Sequence, residues 1–297
     1  MHWAEGFIAA DWGTTNRRAY LVSGEGRCVD EMEDGKGVLS VAAGGFGDAV
    51  AEIRQRLGDK PLLLAGMVGS NRGWVEAPYV PCPADIEDIA NALAWPEERT
   101  AIVPGVSWRS GDDADVMRGE ETQILGALAA GLVQPDALVC HPGTHNKWVR
   151  LEGGRITRFT TVMTGELFNL LKEHSILADQ LQDQAEPDAA FERGVRKGLN
   201  GAAITSELFT VRAKFALGER TADGSSYASG LLIGSDVCAG LALAEAGAQP
   251  VLIGRPDLTR LYAAALTIAG RKAVELDGEQ AFLAGAKSIV RLIDERS

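Results

Sequence analysis

The first apolar run of the chain, residues 7–10, breaks into the polar stretch DWGTTNRR and resumes over 18–22. Short apolar runs bounded by glycine and polar turn residues predict strands. A third strand spans 27–32, and Ser23-Gly24-Glu25-Gly26 supplies the turn before it, with glycines for positive φ. The period then changes. Phe46, Val50, Ile53 and Leu57 fall on one face of a helix. Residues 61–65 return to a strand, which runs into the glycine-rich GMVGSNRG and a proline-punctuated loop, WVEAPYVPCPAD. Ile86, Ile89, Ala90 and Leu93 repeat at helical spacing, and 101–103 is a short strand. A helix covers 119–132 with Ile124, Leu125, Leu128 and Leu132 inward.

The second half begins in the same way, with a strand over 137–140. Leu167, Leu170, Leu171 and His174 mark a helix after MTGE. Pro187 opens another, with Phe191, Val195 and Leu199 on one face. A small-residue helix covers 230–246, a strand 251–254, and Asp257 is the expected cap of the helix that follows. The last helix, 279–295, is amphipathic through Phe282, Ile289 and Ile293. Strands and helices alternate throughout, which predicts an α/β fold.

The two halves share more than a pattern. At a constant spacing of 130 residues, Gly13, Thr14, Asn16, Arg17, Leu21 and Gly24 meet Gly143, Thr144, Asn146, Lys147, Leu151 and Gly154. Both copies follow an apolar strand and precede a second strand and a glycine turn. This points to an internal duplication, against the alternative that glycine- and threonine-rich loops resemble each other by chance. A strand–Gly-Thr–strand hairpin offers backbone N–H groups and hydroxyls to an anion, and two of them suit the gripping of a polyphosphate.

Composition narrows the choice of partners. The 297 residues suffice for two domains, and 46% hydrophobic residues can form cores without staples. A net charge of −12 argues against a nucleic-acid partner. The cysteines Cys28, Cys82, Cys140 and Cys238 form no CxxC pair and read as free thiols in a reducing cytosol. No run reaches the roughly 18 apolar residues of a membrane span, and the N-terminus lacks a signal-peptide pattern. A cytoplasmic location with no membrane partner is expected. A homo-oligomer is compatible with the helix faces, and the sequence leaves the oligomeric state open.

Two duplicated phosphate hairpins resemble the actin/hexokinase/Hsp70 ATPase superfamily. The stretches AGMVGSNRGWVEAPYVPCPA, VMRGEETQILGAL, PGTHNKWV and VMTGELF, with DWGTTNRRAYL and SGLLIG, resemble the 2-dehydro-3-deoxygalactonokinase family in order and over nearly the whole chain. The resemblance implies two ribonuclease-H-like domains with a nucleotide cleft between them. They would cover 1–126 and 127–278, with the C-terminal helix 279–297 a candidate to complete the first. It also implies Mg²⁺ and ATP as co-substrate. The reaction would be phosphorylation of the C6 hydroxyl of 2-dehydro-3-deoxy-D-galactonate, in galactonate catabolism.

Residue roles follow from the same resemblance. Asp11 would hold Mg²⁺ through water. Gly13, Thr14, Thr15, Asn16 and Arg17, with Gly143, Thr144 and Lys147, would contact phosphates, although Arg17 reads almost as well as a surface arginine. Glu120 would accept the proton of the attacking hydroxyl, with Glu121 the alternative and Asp115 in reserve. An acidic first turn favoured by the helix dipole is the competing reading. Arg72 would bind the substrate carboxylate with two parallel bonds, helped by Asn71, Trp74 and Tyr79. Thr164 and Glu166, beside Gly165, would complete the sugar pocket, or else form a helix cap and acidic first turn. Gly254 resembles an adenosine-binding turn, while Gly230 and Gly234 read better as close helix packing. His141-Pro142 stands where related ATPases often carry an acid, which puts a metal role on that side in doubt. His141 and His145 read as hydrogen-bonding residues. The rival functions are a same-fold kinase for another sugar or sugar acid, an actin-like nucleotide switch, and a phosphatase of the superfamily.

Overall fold

The computed structural model describes residues 3–219, 223–244 and 247–296. The chain divides into two compact units: Met1–Pro135 with Gly153–Arg158 and Gly278–Ser297, and Asp136–Glu152 with Phe159–Asp277. Along the first unit run β1 (Gly6–Trp12), β2 (Arg17–Ser23), β3 (Cys28–Asp34), α1 (Phe46–Leu57), β4 (Leu62–Gly66) and β5 (Tyr79–Pro81). Then come α2 (Ile86–Asn91), β6 (Ala94–Glu97), β7 (Thr100–Ile102), β8 (Gly105–Ser110), β9 (Asp113–Met117) and α3 (Glu120–Ala129). The second unit carries β10 (Ala137–His141), β11 (Asn146–Glu152), the later half of β12 (Arg155–Val162), whose first residues count with the first unit, α4 (Thr164–His174), α5 (Ala189–Leu199) and α6 (Ile204–Ala216). It continues with α7 (Gly224–Leu241), β13 (Val251–Gly254), α8 (Pro256–Ile268) and β14 (Val274–Asp277). The chain then returns to the first unit as α9 (Gly278–Asp294).

The two main sheets repeat one plan. The first has the order β3-β2-β1-β4-β7-β6 and the second β12-β11-β10-β13-β14. In each, the leading strand is central: β1 and β10 pair antiparallel with the next strand and parallel with β4 and β13. A further parallel strand, β7 or β14, lies beyond. This is the ribonuclease-H-like arrangement, made twice. The turn between the first two strands differs slightly. Trp12 pairs with Arg17, whereas His141 pairs with Lys147, so the second turn is one residue longer.

Strand alternation and helix periodicity meet in the cores. Ile8, Ala10 and Trp12 of β1 face Phe46, Val50, Ile53 and Leu57 of α1. The first unit also holds the contact of Tyr20 with Phe282 of α9, ring centroids 5.9 Å apart. Helix α9 clamps α3: a Cβ on Gly126 would lie 2.2 Å from the Ala281 carbonyl, and one on Gly285 would lie 2.0 Å from that of Thr122. In the second unit, Cys140, Trp148, Phe191, Val195, Val237, Leu252 and Tyr262 form the core.

Helices α5 and α7 touch backbone to backbone. A Cβ on Gly230 would lie 2.2 Å from the Phe191 carbonyl oxygen, and one on Gly234 2.4 Å from that of Val195. The packing reading of these two glycines therefore holds. Replacing Gly234 by Ala is expected to destabilise by at least about 1–3 kcal/mol, the usual cost of overpacking. A thermal midpoint equal to wild type would contradict the contact.

Several local expectations are corrected. Tyr79–Pro81 is a strand rather than loop, because it pairs parallel with β8. The small-residue helix begins at Gly224 and ends at Leu241, and the expected end at Ala246 lies outside the described residues. Asp257 is not a cap: Arg255 holds that position, Pro256 opens α8, and Asp257 in the first turn accepts from the Arg255 guanidinium at 2.6 Å.

Candidate active site

In the first unit, Asp11 sits near the end of β1 in register with Ala65, and Trp12 with Gly66. Gly66 has φ 91°, and a Cβ there would lie 2.9 Å from the Trp12 carbonyl and 3.3 Å from Asp11 Oδ1. Gly119, φ 111°, packs on Gly66 from the other side and is the N-cap of α3. Two glycines with left-handed backbones thus let β1, β4 and the start of α3 converge. The result is a cluster of acids. Burial, reinforced by the nearby charge of Glu120 and opposed by Arg18, pushes the Asp11 carboxyl up to about 6.

Glu120 and Glu121 diverge as neighbours on a helix must. Glu121 is wholly buried. Its Oε2 accepts from the Gly119 N–H at 2.6 Å, and its Oε1 meets the Thr122 hydroxyl at 3.1 Å. Burial, then Glu120, raises its carboxyl to about 7. Glu120 is half-buried, and its Oε2 accepts from the Arg118 N–H at 3.1 Å. Of the pair, Glu120 is the more exposed. Asp115 lies on β9, in the smaller sheet of β5, β8 and β9.

The turn after β1 is tightly tied. Gly13 N–H donates to the Asn16 carbonyl at 2.9 Å, and the amides of Gly37, Val38 and Leu39 donate to the carbonyls of Thr15, Gly13 and Thr14. Thr14, Thr15 and Asn16 are exposed at its tip. Arg17 is not with them. Strand alternation turns it inward, where it is fully buried, donates to Asp34 at 2.6 Å and Glu52 at 3.3 Å, and lies 5.1 Å from the Trp12 ring. It is neither a phosphate ligand nor a surface arginine.

The loop after β4 splits by role. Asn71 and Arg72 are exposed. Trp74 is not: its ring stacks on Phe46 at 6.5 Å, as part of the core. Tyr79 has one ring face covered by the Arg118 guanidinium at 4.3 Å, and Arg118 also donates to the Ala77 carbonyl at 2.8 Å. This arginine, within the quoted VMRGEETQ motif, ties the loop to the start of α3.

In the second unit a cavity of about 530 Å³ opens beside the turn between β10 and β11. Gly143, Thr144, Thr164 and Gly165 form one end, and α4, α7 and α8 contribute Asn169, Lys172, Leu232, Arg255 and Asp257. The turn and α4 are in backbone contact: Glu166 N–H donates to the Thr144 carbonyl at 2.9 Å, and a Cβ on Gly165 would lie 2.5 Å from the Gly143 carbonyl. Glu166 itself is paired with His145. Lys147 does not reach the cavity wall. It is buried, and its ammonium donates to the Thr161 hydroxyl at 2.8 Å. Gly254 lies 3.5 Å, from an ideal Cβ, to the Pro142 carbonyl, beside the turn; the wall next to it is made by Arg255. The Thr164 hydroxyl donates to Asp236, a buried acid that the sequence reading passed over. Its signal was there: one acid inside the otherwise small and apolar SGLLIGSDVCAGL.

The first unit thus sets Asp11 at the end of β1 beside Glu120 at the start of α3, and the second sets a glycine turn at the mouth of a cavity. A model of the 2-keto-3-deoxy-galactonokinase family matches residues 11–289. The chain belongs to that family. It is 38% identical over 290 residues to the 2-dehydro-3-deoxygalactonokinase of Escherichia coli K12, covering 97% of this chain and 98% of that one. A Sinorhizobium meliloti protein, crystallised under the provisional name of 2-dehydro-3-deoxygalactonokinase, superimposes with a TM-score of 0.90 at 35% identity, over 97% of this chain and 99% of that one. The activator of a Clostridium difficile 2-hydroxyisocaproyl-CoA dehydratase shares the fold alone, with TM-score 0.52 and 9% identity over 98% and 97% of the two chains. Among the described residues no helix is long and apolar enough to cross a membrane.

Proposed function

We propose that the chain transfers the γ-phosphoryl group of ATP to the C6 hydroxyl of 2-dehydro-3-deoxy-D-galactonate. Membership of the kinase family across residues 11–289 carries this reading. Glu120 is the general base: it is the half-exposed acid at the start of α3, and a positioned carboxylate can accept the hydroxyl proton while ionised. Thr14, Thr15 and Asn16 in the first unit, and Gly143 and Thr144 in the second, bind phosphate through N–H and hydroxyl donors. The 530 Å³ cavity takes the nucleoside, and Thr164 in its wall and Glu166, paired with His145 of the turn, belong to this nucleotide side rather than to the sugar pocket. Arg72 and Asn71 receive the sugar acid.

Mg²⁺ fits the donor set. Asp11 offers hard carboxylate oxygens, and its raised affinity for a proton reflects burial first and the nearby charge of Glu120 second. When bound, Mg²⁺ supplies charge neutralisation to the phosphates. Asp11 would hold it, through water. Glu121, bonded to the Gly119 N–H, fixes the first turn of α3 and with it the direction of Glu120.

The direct test is ATP consumption by purified protein with Mg²⁺ across 2-keto-3-deoxy acids, plain aldonates and neutral hexoses. Stimulation by the galactonate derivative is expected. ATP use indifferent to every acceptor would return the switch and phosphatase readings. Replacing Arg72 by Ala is expected to raise the KM for the sugar acid about 10-fold or more, as loss of a charge-assisted contact does. An unchanged KM would remove Arg72 from the site.

A further inference from the structure

We infer that Asp236 is a positioning residue for the nucleotide: from beneath the cavity it fixes the phosphate turn and the cavity walls in one mutual arrangement. This rests on the proposal that the nucleotide occupies the cavity of the second unit. Asp236 lies on α7 and is wholly buried. Oδ1 accepts from Asn146 Nδ2 at 2.8 Å and Trp148 Nε1 at 2.6 Å. Oδ2 accepts from the Thr164 hydroxyl and, at 2.6 Å, from the Tyr262 hydroxyl. Among the described residues it makes no ion pair.

The donors come from three different elements. Asn146 and Trp148 begin β11, directly after Gly143-Thr144-His145. Thr164 starts α4, whose Glu166 amide holds the Thr144 carbonyl. Tyr262 belongs to α8, which also supplies Asp257 and Leu258 to the cavity. One carboxylate therefore ties α7 to the strand leaving the turn, the helix facing the turn, and the far wall. A buried carboxylate without a cation is unfavourable unless its lone pairs are filled. Four neutral donors fill them, and burial still raises its proton affinity. An apolar residue would have packed the same space at lower cost, so the acid is explained by the geometry it enforces.

The test compares Asp236→Ala with Asp236→Asn and a cavity-filling variant, Leu232→Trp, by steady-state kinetics and circular dichroism. Asp236→Ala releases all four donors. The KM for ATP is expected to rise about tenfold or more, the worth of one charge-assisted hydrogen bond, with the sugar-acid KM little changed. Asp236→Asn should restore the wild-type KM, because its carbonyl accepts from Asn146 and Trp148 while the Thr164 and Tyr262 hydroxyls rotate to accept from its amide. Leu232→Trp should raise the KM for ATP by obstruction. If Leu232→Trp has no effect, the nucleotide does not bind here and the underlying reading fails. If Leu232→Trp acts but folded Asp236→Ala does not, the positioning role fails alone. Asp236→Asn as impaired as Asp236→Ala would also overturn it, since charge rather than position would then matter. Should Asp236→Ala not fold, Tyr262→Phe decides: a raised KM for ATP supports the role, and an unchanged one overturns it.

Discussion

Replacing Glu120 by Gln is expected to lower kcat about 10²–10⁴-fold, the usual range for a general base, with little change in either KM. Gln keeps the shape and the acceptor for the Arg118 N–H, so the first turn of α3 stays intact. What is lost is the capacity to take a proton. Single-turnover measurement of phosphoryl transfer checks this, because it separates chemistry from product release. A variant that keeps wild-type kcat would move the base elsewhere, with Asp115 the poorer candidate on its small sheet. A variant that loses only affinity would make Glu120 a binding residue.

The second large effect is on stability, and its sign is unusual for a carboxylate. Glu121 has its carboxyl raised to about 7 by burial and by Glu120. Its folded-state proton affinity exceeds its unfolded one, so the unfolded chain binds fewer protons between pH 4.5 and 7. Ionisation therefore costs stability as pH rises through that window, and the cost is full above pH 7. Glu121→Gln removes the charge and keeps an acceptor for the Gly119 N–H. It is expected to be more stable than wild type at pH 8, by on the order of 3 kcal/mol for a shift of this size, and to converge with it near pH 4. Carboxylates held below their usual range, such as Asp34 beside Arg17, act in the opposite direction at lower pH, but they are common to both proteins and cancel in the difference. Denaturant unfolding of the pair at pH 4, 6 and 8 reads the effect. A difference that does not vary with pH would mean Glu121 is not the titrating group.

How far the sequence spoke can be judged from particular residues. The 130-residue spacing between the two Gly-Thr turns was legible as an internal duplication, and the two sheets repeat one plan around β1 and β10. Parallel pairing of β1 with β4 was legible only through the family resemblance, since nothing local marks a partner fifty residues away. Arg17 and Lys147 misled. Polar residues after a glycine turn look like ligands, yet both begin strands whose alternation points them inward, to Asp34 and Thr161. Trp74 could be read either as a sugar-pocket residue or as an aromatic packed beneath a solvated loop; its stacking on Phe46 favours the second, and nothing local names that partner. Helix α6 was missed altogether: Phe209 and Phe215 are exposed while only Leu208 and Val211 are buried, so no clean face shows. Asp236 was overlooked because four donors scattered from 146 to 262 become one site only when the chain is folded.

The first unit is not a continuous stretch of chain. Its α3, which carries Glu120, is clamped by α9 through Ala281 and Gly285, from beyond the second unit in sequence. On the ribosome, the acidic helix must wait, unclamped, while the whole second unit is translated. Loss of α9 alone would therefore unclamp the helix that carries Glu120, although the whole second unit separates the two in sequence.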